Sequence, residues 1–462
     1  MGGLHRLPSS FRDPCGYIFV DNGAIKRAVT DFGRENYDLF LSTGLYDQLL
    51  QRKYLVPHHE EEPSERGIHK ILLPNRIPVI TYPYEWSFSA LKDAALLTLD
   101  IQKTALEHGM SLKDATPYNI QFLDGKPLMI DTLSFEKFQN KPWVAYKQFC
   151  EIFLAPLVLM AYVKADYNKY LSNDINGFDL QFCSKVLPRA TWFNPNLLAH
   201  IHLHALSQTK YGSPSAKAPT HTSLNFSLNQ MNALIDSLKS AVAQLKIKKS
   251  KTSFGDYYAE CQHYTEKAEH FKTQLIEEWL NILNPKRVTD LGANNGRYSR
   301  LVTKRGAFCA AVDNDPLCVN DNYVFSRKEN DMNILPLYLD LSNPFPAVGW
   351  ASKERDSFFM RVQSDLVMAL ALIHHLRISV NIPLFMLSRF FADIAPVLWI
   401  EFVPKNDVMV QKLLANREDT FHDYDQAGFE ENFKAYFDIF KKADIPDTPR
   451  TLYYLIRKKS AI

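Results

Sequence analysis

Val288-Thr289-Asp290-Leu291-Gly292-Ala293-Asn294-Asn295-Gly296 decides the reading of this chain. It reads as a short buried strand ending in a glycine-bearing turn, with a helix starting near Arg297 and Tyr298. Glycine at 292 and 296 lets the backbone pass close under a ligand that a Cβ would block. A second acidic strand end follows in Ala310-Ala311-Val312-Asp313. Asp290 and Asp313 stand 23 residues apart, about one strand–helix–strand step. At that spacing an acidic side chain reaches a pair of ribose hydroxyls, so the pattern points to a nucleoside-bearing cofactor. The turn is not the G-x-G-x-x-G of dinucleotide sites, because Asn294 holds the middle position and an acid precedes the first glycine. Asn tolerates the unusual φ that such a turn requires.

Apolar runs at 288–291, 308–312, 334–339, 366–373, 397–403 and 452–456 alternate with longer helical or mixed segments. This alternation predicts an α/β fold with a mostly parallel sheet covered on both faces. Ligands bind such sheets beyond the carboxyl ends of the strands. Asp290, Asp313, Asp340 and His374 all fall at or just past predicted strand ends.

On these residues, positions 254–462 resemble a class I S-adenosylmethionine-dependent methyltransferase. The matching segments are Asp290–Gly296, Val312-Asp313, Tyr338-Leu339-Asp340 and Ser364-Asp365 through His374-His375-Leu376. The resemblance implies a Rossmann-like sheet with an antiparallel last strand, placed here at 449–457, and S-adenosylmethionine as cofactor. It implies cofactor contacts at Asp290, Gly292, Asn294, Gly296, Asp313, Asp340 and Asp365. Methyl transfer to an oxygen or nitrogen acceptor benefits from a base, and His374 and His375 are the candidates beyond the fourth strand. Either histidine also reads as a packing residue. Glu401, ending the fifth apolar strand, faces the substrate cleft or serves as a capping or salt-bridging carboxylate. Tyr258 and Tyr264, ahead of the first strand, read equally as lid residues or packing aromatics.

The N-terminal half carries a second pattern. Asp114, Asn119 and, after a short hairpin, Asp131 resemble the catalytic and metal-binding loops of the protein kinase and aminoglycoside phosphotransferase fold. The resemblance implies an α+β kinase-like domain over 1–206 and a magnesium–ATP site at Asp114, Asn119 and Asp131, with Lys26 as the phosphate-pairing lysine. Leu112-Lys113 replaces the usual His-Arg, Thr132 follows the second Asp, and no glycine-rich phosphate loop is evident. These departures argue for a domain that transfers no phosphate, and the same residues also read as a hairpin and loop of an unrelated fold whose Asp and Asn satisfy local backbone groups. Asp21-Asn22-Gly23 predicts a hairpin turn, and 91–108 a long helix. The segments Tyr82–Phe88, Leu91–Leu96 and Lys113–Asp131, taken with the C-terminal motifs, resemble a bacterial group of class I methyltransferases related to the rhizobial nodulation protein NoeA.

Length and composition frame the rest. A chain of 462 residues exceeds one ordinary core. The stretch 207–253 reads as a linker, poor in periodicity to 227, followed by a connecting helix over 227–245. The net charge of +2 gives no bulk argument for nucleic acid. Six cysteines without C-x-x-C or metal spacing predict buried free thiols and a reduced, cytoplasmic location. The most apolar window, 149–162, is too short to span a bilayer and reads as a buried helix. The expectation is a methyltransferase acting on an unidentified acceptor, with the N-terminal domain recognising that acceptor or a partner. Two rivals are a bifunctional kinase–methyltransferase and a non-catalytic regulator that senses S-adenosylmethionine or a nucleotide.

Overall fold

The apolar runs and turn signals become two compact units, Met1–Lys248 with Pro346–Asp356, and Lys249–Phe345 with Ser357–Ile462. A computed structural model describes residues 5–63, 65–211, 225–248, 264–415 and 417–459.

In the first unit, five strands form an antiparallel sheet: β1 (His5–Arg6), β2 (Gly16–Asp21), β3 (Ala24–Thr30), β4 (His58–Glu61) and β5 (Ile68–Pro74), ordered β1-β2-β3-β5-β4. The β2–β3 turn falls where Asn22-Gly23 places it, with φ of 49° and 82°. Asn and Gly populate that left-handed region at low cost, which matches the turn to the strand twist. Ser87 then caps the helix Phe88–Glu107 by accepting from the Ala90 N–H. Two small ladders follow, β6 (Met110–Leu112) with β9 (Phe135–Lys137), and the hairpin β7 (Ile120–Leu123) with β8 (Lys126–Met129). The apolar window at 149–162 is buried in helical turns over Tyr146–Tyr162. Among the described residues, no helix is long and apolar enough to cross a membrane.

The helix read as a connector, Leu228–Gln244, is part of this first unit. Ser227 and Gln230 form a capping box at its start, and Met231, Ile235, Leu238 and Val242 bury one face. It packs on Phe88–Glu107, with Lys103 paired to Asp236 at 2.8 Å and Lys239 to Asp100 at 2.5 Å.

The second unit is built on seven strands: β10 (Arg287–Leu291), β11 (Phe308–Asp313), β12 (Ile334–Tyr338), β13 (Leu366–Ala369), β14 (Val397–Phe402), β15 (Phe437–Asp444) and β16 (Thr451–Arg457). Their order is β12-β11-β10-β13-β14-β16-β15. β10 to β14 pair in parallel, and β16 runs antiparallel to both β14 and β15. All six apolar runs contribute a strand, and the antiparallel last strand is where the sequence places it. The run 366–373 leaves the sheet at Ala369, and Ala371 turns at φ 51°. β15, Phe-Asp-Ile-Phe-Lys-Lys-Ala-Asp, is an edge strand with few buried side chains, so no apolar run announces it. Trp279, Trp399 and Tyr454 pack on one sheet face with ring centroids 5.4–5.6 Å apart. Aromatic clusters of this kind combine large buried area with edge-to-face attraction. Cys15, Cys150, Cys183, Cys309 and Cys318 are buried free thiols. Cys261 lies outside the described residues.

Candidate active site

β10 neighbours β11 on one side and β13 on the other, so the strand order reverses there, and a crevice opens at such a switch point. A cleft of about 360 Å³ occupies that position. Asp290, Gly292, Asn294, Asp313 and Asp340 all line it. The turn folds back because the N–H groups of Gly292 and Ala293 both donate to the Val312 carbonyl, at 2.8 and 2.9 Å. Gly292 has φ +77° and Asn294 φ 50°. The Asn294 N–H donates to the Asp313 carboxylate at 2.7 Å, and the Asp315 N–H to its other oxygen at 2.8 Å. Those two bonds fix the Asp313 carboxylate at the cleft wall. Ser299 donates to Asp290 at 2.6 Å. Burial pushes the carboxyl pKa of Asp290 and of Asp313 up to about 6. Asp340, half-buried, accepts from the Ser342 N–H and hydroxyl at 2.8 and 2.6 Å.

Two expected cofactor contacts are elsewhere. Gly296 does not line the cleft; its φ is +78°, and a Cβ there would meet the Asn322 amide at 2.5–2.8 Å. That glycine makes room for a side chain, not a ligand. Asp365 precedes β13, at the opposite strand end from the cleft, and accepts the N–H groups of Lys286 and Arg287 at 2.8 and 2.9 Å. Its carboxylate ties the start of β10 to that of β13.

The histidines divide as well. His375 lines the cleft. His374 is fully buried, does not line it, and among the described residues has no hydrogen-bond partner for either ring nitrogen. Burial lowers the His375 pKa to about 4 and that of His374 well below its ordinary value, so both rings are neutral near pH 7. Neutral His375 can accept a proton; His374 reads as packing.

One wall of the cleft rests on an ionic network that the sequence leaves unassembled. Lys272 and Tyr264 line the cleft, and both meet the buried Glu401 carboxylate, Lys272 at 2.5 Å and Tyr264 through its hydroxyl. Arg450 donates to Glu401 at 3.3 Å, to the Tyr264 hydroxyl at 2.9 Å and to Asp407 at 2.7 Å. Burial opposes the Lys272 charge, but Glu401 more than offsets it and holds the ammonium pKa well above its usual value. Burial likewise disfavours the Glu401 charge, and Lys272 and Arg450 overcome it, leaving that carboxyl below its usual range. Glu401 is thus a salt-bridging carboxylate. Tyr264 is both a packing and a cleft-lining residue, whereas Tyr258 lies outside the described residues.

In the first unit, Asp114, Asn119 and Asp131 do come together. The Asn119 amide donates to Asp114 at 3.2 Å and to the Ser134 hydroxyl at 3.1 Å, and Ser134 donates to Asp131 at 2.8 Å. Lys26 is not the base in this cluster; it pairs with Asp21 and Glu61. Arg27, one residue on and on the other face of β3, meets Asp131 at 2.7 Å. Both Asp131 oxygens are engaged, one by Arg27 and the Leu133 N–H, the other by Ser134. As arranged, both Asp131 oxygens already have partners, so a magnesium ion there would compete with Arg27 and Ser134 for the carboxylate. Among the described residues, no group of three or more His, Cys, Asp or Glu is placed to hold a metal ion.

No family model matches the chain. It is 34% identical over 468 residues to nodulation protein NoeA of Rhizobium meliloti (strain 1021), covering 98% of this chain and 96% of that one. Solved structures with some likeness include the bifunctional kinase-methyltransferase WbdD, at 16% identity over 47% of this chain and 45% of that one, TM-score 0.30. Magnesium protoporphyrin IX methyltransferase from Synechocystis PCC 6803 is another, at 15% identity over 46% of this chain and 90% of that one, TM-score 0.31. Those two scores are too low to bear on fold or function. Near full-length identity to the Rhizobium protein does bear on kinship, and the chain belongs to the NoeA family.

Proposed function

We propose that the second unit is an S-adenosylmethionine-dependent methyltransferase. The observation behind this reading is the meeting of Asp290, Gly292, Asn294, Asp313 and Asp340 in one cleft at the carboxyl ends of β10, β11 and β12. The donor set fits the cofactor. Asp313, held at the cleft wall by two backbone N–H groups, presents a carboxylate suited to ribose hydroxyls. Asp290 offers a carboxylate suited to the ammonium of an amino-acid moiety, and Lys272 lines the same cleft while paired with Glu401. When bound, S-adenosylmethionine supplies an electrophilic methyl group to a nucleophile aligned with it. His375 stands at the wall following β13 as a neutral imidazole, in the form that accepts a proton from a hydroxyl or amine acceptor, although burial, which lowers its pKa to about 4, makes it a weak base. The first unit, with its closed Arg27–Asp131 cluster, is assigned to recognition of the acceptor or a partner.

Incubating the full chain with methyl-labelled cofactor and a bacterial extract tests this. Label should pass to product with the wild type and fall at least tenfold with His375→Ala, whose cofactor affinity is retained. Cofactor binding without any transfer by the wild type would favour a sensing regulator.

A further inference from the structure

The cleft has two unlike wings. From the turns after β10, β11 and β12 come Asp290, Asn294, Asp313 and Asp340, together with Lys272 from the preceding helix. From the loop after β13 and the helix Val408–Leu414 come Leu370, Leu372, Leu376, Val380 and Leu413. Among the described residues lining this second wing, none carries a formal charge at neutral pH; its polar side chains are His375 and Ser379.

Of the charged residues close in sequence, Lys412, beside Leu413, is exposed and does not line the cleft, and two arginines are committed elsewhere. Arg377 pairs with Asp423 at 2.6 Å and with Asn381 at 3.0 Å, and Arg417 donates to the Ile378 carbonyl. Neither lines the cleft. A charged acceptor group brought against this wing would lose hydration without gaining a counter-charge from the described lining residues, which is costly in a partly enclosed apolar site. An apolar group would gain free energy as its surface is removed from water. Pockets of this type combine an apolar lining with a few polar groups that orient the ligand, the part open to His375 and Ser379 here.

Resting on the methyltransferase reading, we infer that the acceptor presents its nucleophile on an uncharged, apolar-faced group, of the phenol or alkyl-bearing alcohol class. Phosphorylated and carboxylated groups are disfavoured at the reacting end.

The test uses the full chain saturated with S-adenosylhomocysteine, titrated calorimetrically with 4-propylphenol and with 4-hydroxybenzoate. The two share the phenol and differ in an apolar against an anionic tail. The wild type should bind 4-propylphenol at least tenfold more tightly, and Val380→Lys should narrow or reverse that preference. Equal or tighter binding of 4-hydroxybenzoate by the wild type would overturn the inference, as would binding of neither compound. Failure of S-adenosylhomocysteine itself to bind would instead overturn the cofactor reading, so the two failures are distinguishable.

Discussion

Lys272 and Glu401 form an ion pair at 2.5 Å with side chains 2% and 0% exposed. They join the helix ahead of β10 to the end of β14, and Lys272 lines the cleft. Lys272→Met leaves the buried Glu401 carboxylate with Arg450 and the Tyr264 hydroxyl but without its nearest cation, and should cost about 1–3 kcal/mol of stability. The double variant Lys272→Met/Glu401→Leu should recover more than half of that loss in urea unfolding. Equal losses in the single and double variants would contradict a paired-charge role.

The two carboxyls raised by burial predict a pH dependence. An Asp titrates near 3.9 when unfolded, by about the reference value, whereas Asp290 and Asp313 titrate at about 6 in the fold. Holding those protons favours the folded state fully below pH about 4, and this contribution is lost as pH rises through 6. In the proposed site the cationic end of S-adenosylmethionine would favour the ionised carboxylate, so affinity should increase as pH rises from about 5 to 7. Asp290→Asn should flatten the profile. Calorimetric dissociation constants at three pH values check this; a pH-independent wild type would contradict it.

Gly296 and Gly292 share a left-handed φ but differ in surroundings. Gly296→Ala pushes a methyl into the Asn322 amide and should lose at least about 2 kcal/mol, left-handed strain included. Gly292→Ala meets only the Leu372 side chain, at 3.3 Å. It should lose about 1–2 kcal/mol from backbone strain. Thermal unfolding of both variants would show the difference, and a larger loss at Gly292 would contradict it.

Arg27, not Lys26, is the base that neutralises Asp131. Arg27→Met should destabilise the first unit by about 1–3 kcal/mol through the unpaired carboxylate. Lys26→Met should change stability little, because its partners Asp21 and Glu61 are partly solvated. Comparable losses in both would contradict the assignment.

What could be read in the sequence follows from which signals are local. The buried parallel strands announce themselves as apolar runs, and Asn22-Gly23 announces its turn, because each signal lies within a few neighbouring residues. Asp290 and Asp313 were legible because a strand–helix–strand step fixes where successive strand ends fall. β15 was not, since an edge strand needs few buried side chains. Lys26 and Arg27 sit on opposite faces of β3, and only the sheet decides which face looks to Asp131. Asp365 belonged to a motif segment but precedes its strand, so it stands at the wrong end. Lys272 left a readable trace: it interrupts the apolar stripe Ala268, Ile276 and Trp279 of its helix. Its partners Glu401, Arg450 and Tyr264 are joined only by tertiary folding, so no spacing reveals them.

Asp313, and not Asp365, is the carboxylate placed to serve the proposed cofactor site. Isothermal titration of S-adenosylmethionine into the wild type, Asp313→Ala and Asp365→Ala tests it most directly. The account predicts micromolar binding by the wild type, a loss of at least tenfold in Asp313→Ala, and affinity near wild type in Asp365→Ala if that variant remains folded by circular dichroism. Absence of binding to the wild type, or undiminished binding by Asp313→Ala, would contradict it.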